Sequence, residues 1–69
     1  MAQQFAPAGT EDDLRAEAAR YRVPLYVLAA RVRIHPVRLS RLLHGRDLIP
    51  EPLVSKILDA IRAEATETR

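Results

Sequence analysis

A chain of 69 residues has room for one compact domain, and its small core barely offsets the conformational entropy of folding, so self-association is expected. The absence of cysteine excludes disulfides, thiolate metal sites and thiol nucleophiles together. A net charge of +2 comes with no apolar run of the roughly 18 residues a membrane span needs and no signal-peptide pattern, so a cytoplasmic protein without a membrane partner is expected.

Residues 1–9 hold Pro7 and Gly9 and show no periodicity, which predicts a flexible arm with Phe5 as its one aromatic. Thr10 before Glu11, Asp12 and Asp13 reads as a helix start, a hydroxyl cap followed by carboxylates that complement the helix dipole. The first helix then runs to about Arg22, with Leu14, Ala18 and Tyr21 on its inner stripe. Pro24 suits a first helical position, so a second helix begins there and buries Leu25, Leu28, Ala29 and Val32. Pro36 repeats the signal and opens a third helix to about His44, with Leu39, Leu42 and Leu43 inside and Gly45 as its stop. After a loop over residues 46–50, Pro52 marks the first turn of a fourth helix with Val54, Ile57, Leu58 and Ile61 on one face. The expected organisation is an arm at 1–9, a domain at 10–63 and a frayed tail at 64–69. The fold class is all-α, with four helices or, as the alternative, five.

Charge is segregated along this pattern. From residue 18 to residue 46 stand Arg20, Arg22, Arg31, Arg33, Arg38, Arg41 and Arg46, with no Asp or Glu. All nine acids lie outside, so the middle carries +7 and the flanks −5. That asymmetry suits a polyanion, because neutralising phosphates releases condensed counterions. The competing reading is a solvated basic face without a partner, although such faces usually mix signs. Enzymatic constellations are missing: Ser40 and Ser55 have no acid–base pair at sensible spacing, and two glycines make no phosphate loop. His35 and His44 stand nine apart without the three or four converging ligands that zinc requires. No catalysis, metal, cofactor or small-molecule ligand is therefore expected.

Two short helices joined by about three residues, the second rich in Arg and closed by Gly, form the pattern of a helix-turn-helix. Leu28-Ala29, Ile34, Leu39-Ser40-Arg41-Leu42, Gly45 and Pro50 together make residues 23–61 resemble the Cro-like phage repressor family, which includes many bacterial regulators and antitoxins. Three positions depart from the family pattern. Arg33 stands where the turn usually has Gly, so keeping a left-handed turn carries a steric cost. Leu25 replaces a phosphate-contacting Gln, and Leu43 replaces a frequent Glu, as added core or as partner interface.

The resemblance implies that Val37, Arg38 and Arg41 reach base edges from the start of the third helix. Arg41 is the foremost reader, because a guanidinium fork matches the two acceptors of guanine. Arg31, Arg33, His35, Ser40, His44 and Arg46 are the corresponding candidates for DNA-backbone contacts. The expected protein is a dimeric regulator of transcription, first of all a repressor, that binds an inverted repeat in double-stranded DNA. Val54, Ile61 and Ala65 are the expected dimer surface. The alternative is a protein-interaction module, such as an antitoxin or phage-encoded inhibitor. An architectural or RNA-binding role is weaker still, since Phe5, Tyr21 and Tyr26 do not cluster.

Overall fold

A computed structural model describes residues 4–67. Its elements are α1 (Thr10–Arg20), α2 (Leu25–Val32), α3 (Pro36–Leu43) and α4 (Glu51–Glu67), and the described residues contain no strand. Helices α1 and α2 pack against both α3 and α4. The all-α class is therefore the observed one, with four helices. The arm's first three residues and the last two residues of the expected tail lie outside the described residues.

The first three helices stop in the same way. After α1, Arg22 takes a left-handed conformation (φ 55°), its N–H reaches the Ala19 carbonyl, and Val23 N–H reaches back to the Ala18 carbonyl at 2.9 Å. After α2, Arg33 does the same (φ 59°), and Ile34 N–H bonds the Ala29 carbonyl at 2.9 Å. After α3, Gly45 (φ 75°) takes that place, and Arg46 N–H bonds the Arg41 carbonyl at 2.9 Å. In each case the reversal satisfies carbonyls that a helix end otherwise leaves without partners. At Arg22 and Arg33 a residue with a Cβ adopts a geometry that costs L-residues about 1–2 kcal/mol. The turn between α2 and α3 thus keeps left-handed geometry in spite of Arg33.

The helix starts differ more from the sequence reading. Gly9, not Thr10, is the cap of α1, and its carbonyl accepts from Asp12 N and Asp13 N at 3.1 and 3.3 Å. Thr10 is already helical, and no side-chain capping bond is formed there. Pro24 precedes α2 with extended backbone, its carbonyl receiving Val27 N and Leu28 N, while Pro36 does occupy the first position of α3. α4 continues through Glu67, past the expected end at residue 63.

The N-terminal arm also has partners. Phe5 bridges Pro50 in antiparallel fashion: Ala6 N–H donates to the Ile49 carbonyl at 2.8 Å, and Glu51 N–H donates to the Gln4 carbonyl at 2.9 Å. Gln4 so satisfies the first amide of α4, one of the four that a helix start cannot bond internally.

Leu14, Leu28, Leu39, Leu42, Ile57 and Ile61 are the large fully buried side chains, and each contributes about 1.5–3 kcal/mol by leaving water. Leu43 joins them at 4% exposure, so of its two readings the core is the observed one. Ile61, expected at a dimer surface, is 0% exposed. The apolar period groups it with Val54, but in the folded chain its whole side chain is used inside, and it is unavailable to a second copy. Val54 and Ala65 are only half-buried.

Candidate nucleic-acid interface

Spacing in α3 decides what faces outward. With Leu39, Leu42 and Leu43 buried, the helical period leaves Val37, Arg38, Arg41 and His44 on the exposed side. Val37 is 62% exposed, one of the large apolar side chains left open to solvent. The three expected base readers therefore share one solvent-facing strip.

Both histidines have local tasks. Nδ1 of His35 accepts from Val37 N at 3.2 Å, which caps the start of α3 and leaves Nε2 as the ring atom open to another partner. His44 Nδ1 lies 2.8 Å from the Ser40 carbonyl, so the ring bonds the end of α3, and 3.5 Å from Ser40 Oγ. Ser40, Arg41, His44 and Arg46 line one shallow depression at the C-terminal end of α3.

The cations are less alike than the sequence makes them. Arg41 Nε lies 3.2 Å from Asp47 Oδ2, and its Nη2 donates to Oδ1 at 3.4 Å. Arg31 pairs with Glu64 at 2.8 Å and with Glu67, both on α4. Those hydrogen bonds, Glu64's first, hold the Arg31 guanidinium further above its already high ordinary range. Arg20 lies 3.8 Å from Glu17 and over the Tyr21 ring. The acid-free stretch thus takes back acids from its flanks, while Arg22, Arg33, Arg38 and Arg46 have no ion-pair partner among the described residues.

Position separates the backbone candidates as well. Arg31 and Arg33 line a different depression, between the end of α2 and α4, together with Lys56 and Asp59. The structure brings Ser40, Arg41, His44 and Arg46 together but does not place Arg31 and Arg33 with them. Asp47, which sequence reasoning did not single out, is the acid that pairs with Arg41 on the α3 strip. Its nearness follows from Gly45, whose reversal folds residues 46–47 back over Arg41.

No family model matches the chain, and no curated protein or solved structure gives a significant match.

The described residues contain no group of three metal-ligating side chains and no helix long and apolar enough to cross a membrane. What the α3 strip offers is an exposed methyl pair at Val37, two guanidinium forks one turn apart at Arg38 and Arg41, and further cations at its end. Guanidinium groups bind planar or bidentate acceptors such as phosphates and guanine edges, and a valine can pack on a thymine methyl.

Proposed function

We propose that this chain is a sequence-specific, double-stranded DNA-binding regulator of transcription, with α2 and α3 as its helix-turn-helix and α3 lying in the major groove. The observation that carries this reading is the α3 strip, where Val37, Arg38 and Arg41 stand exposed on the helix that opens at Pro36 and closes at Gly45. A helix presenting short apolar and forked cationic side chains matches the donor, acceptor and methyl pattern of that groove. Arg41 reads guanine, Val37 a thymine methyl, and Arg38 a base or a phosphate. Arg46, Ser40 and the open nitrogen of His35 meet the backbone. Arg31 is dropped from the contact set, because its guanidinium is committed to Glu64 and Glu67. The resemblance to Cro-like repressors supports two copies on an inverted repeat, with repression as the first expectation. The half-buried Val54 and Ala65 are the surface left for pairing.

The test is selection from random-sequence duplex at two salt concentrations, with Arg41→Ala alongside. An enriched inverted repeat whose preference relaxes in the variant supports the reading. Weak, steeply salt-dependent binding without an enriched site overturns it.

The protein-interaction reading is favoured by one observation, the exposure of Tyr26 (70%), Leu48 (68%) and Phe5 (44%), which are apolar side chains outside α3. Binding that ignores salt and needs none of the α3 arginines would select it instead.

A further inference from the structure

Asp47 is an odd residue to find beside Arg41. A carboxylate near phosphates is repelled by them, and the pair it makes is too exposed, at 57% and 39% for the two side chains, to stabilise the fold much. Both separations, 3.2 and 3.4 Å, exceed the 2.7–2.9 Å of a tight charge-assisted bond. Stability does not account for it.

The atoms involved do. Asp47 lies along the side edge of the guanidinium: Nη2 donates to Oδ1 at 3.4 Å, and Oδ2 stands 3.2 Å from Nε as an ion-pair contact. A guanidinium has five N–H donors, so this engagement leaves the end edge, between Nη1 and Nη2, unused. The end edge presents two parallel donors, as the O6 and N7 acceptors of guanine require. The backbone leading into Asp47 is fixed: Gly45 reverses the chain, Arg46 N–H bonds the Arg41 carbonyl at 2.9 Å, and Asp47 is the next residue.

Resting on the proposed DNA-binding function, we infer that Asp47 is a specificity-determining positioning residue. Its carboxylate holds the Arg41 fork side-on, so that the end edge is presented to a guanine instead of sweeping across neighbouring bases and phosphates. A long side chain fixed before binding loses less entropy on contact. Once a duplex covers the pair and excludes water, the attraction between Arg41 and Asp47 strengthens, which tightens the alignment at the moment it is used. The negative charge also makes a phosphate contact by Arg41 less favourable, so that the arginine discriminates where a free one would bind any sequence.

The test uses the full chain as wild type, Asp47→Ala, Arg41→Ala and the double variant, with Asp47→Asn in place of Asp47→Ala if melting shows the latter to be unfolded. Each is titrated against the selected duplex and against duplexes changed at the base pair whose preference Arg41→Ala relaxes. Expected is a loss of roughly two- to tenfold in discrimination at that base pair for the Asp47 variant. Affinity for unrelated duplex should be undiminished, and the Asp47 change should add nothing in the Arg41→Ala background. Discrimination equal to wild type while Arg41→Ala has lost it overturns the inference and leaves the DNA-binding reading standing. Uniform weakening on all duplexes, with discrimination intact, also overturns it by making Asp47 merely structural. If Arg41→Ala keeps every preference, or no duplex is selected, base reading by Arg41 is wrong and the inference falls with it.

Discussion

Arg31 Nε donates to Glu64 Oε2 at 2.8 Å, and Nη2 of the same guanidinium reaches Glu67, so the end of α2 is fastened to the last turns of α4 across 33 residues of sequence. The clamp spans two helices that also pack through their apolar faces, and it lies on a solvent-facing side where ion pairs are screened. Arg31→Ala should lower the melting temperature by no more than a few degrees, and the difference from wild type should shrink as salt is added. Because the guanidinium is held above its ordinary range, its contribution is fully present below that range and is lost only in strong base. Thermal melts of wild type and variant between pH 6 and 9 should therefore stay separated by a constant interval.

Arg33→Gly should stabilise the chain. The left-handed backbone at φ 59° costs an arginine about 1–2 kcal/mol and a glycine nothing, while the looser unfolded chain returns part of that gain. The net expectation is about 0.5–1 kcal/mol, read as a higher midpoint in urea with unchanged slope. A lower midpoint would mean that the Arg33 side chain makes contacts worth more than the strain.

The opposite change at the end of α3 should destabilise. An alanine at position 45 must hold φ near 75°, and its Cβ would stand 3.4 Å from Glu11 Oε1. Gly45→Ala is expected to cost about 1 kcal/mol. His35→Ala, which removes the cap on Val37 N, should cost a similar ~1 kcal/mol, and His35→Ser should recover most of it. Urea titrations followed by far-ultraviolet circular dichroism measure both.

Leu39→Ala empties a site that is 0% exposed at the centre of the core. The expected loss of ~2–5 kcal/mol is comparable with the whole stability of a domain this small, so the variant should be largely unfolded at 37 °C. A cooperative melt close to wild type would place the core elsewhere.

Arg38→Ala tests the phosphate share of the proposed interface. If Arg38 holds one phosphate, the salt dependence of duplex binding should become shallower by about 0.9 in log–log slope, with base preferences kept. Relaxed preference with an unchanged slope would assign Arg38 to a base.

Much of the helical pattern was legible because backbone rules are local. Pro36 opens α3 and Gly45 closes it for reasons a sequence displays, and the apolar period of α2 and α3 names their buried faces. Thr10 misled because the helix begins one residue earlier: Gly9 takes the cap position with its carbonyl toward Asp12 N and Asp13 N, and Thr10 is already helical, where its hydroxyl cannot act as the cap. Phe5 gave no signal, since two backbone hydrogen bonds need no particular side chain. For the site, the exposure of Val37, Arg38 and Arg41 follows from the period of α3. The pairing of Arg31 with Glu64 and Glu67, and of Arg41 with Asp47, could not be read from charge order along the chain. The first requires knowing where α4 passes, and the second requires knowing the direction in which Gly45 turns. Ile61 shows the same limit: periodicity finds the stripe but not which part of it the chain itself covers.

The short pairing of residues 4–6 with 49–51 makes the two amides at its ends a natural pair of clocks. Ala6 and Glu51 are tied to carbonyls on each other's segment, and neither bond belongs to a helix. Peeling the arm away breaks both at once while the four helices stay closed, so these protons should exchange with solvent together and far sooner than those of Leu39 or Ile57. The start of α4 would then be the first part of that helix to loosen, unfastened from outside by the departure of the arm.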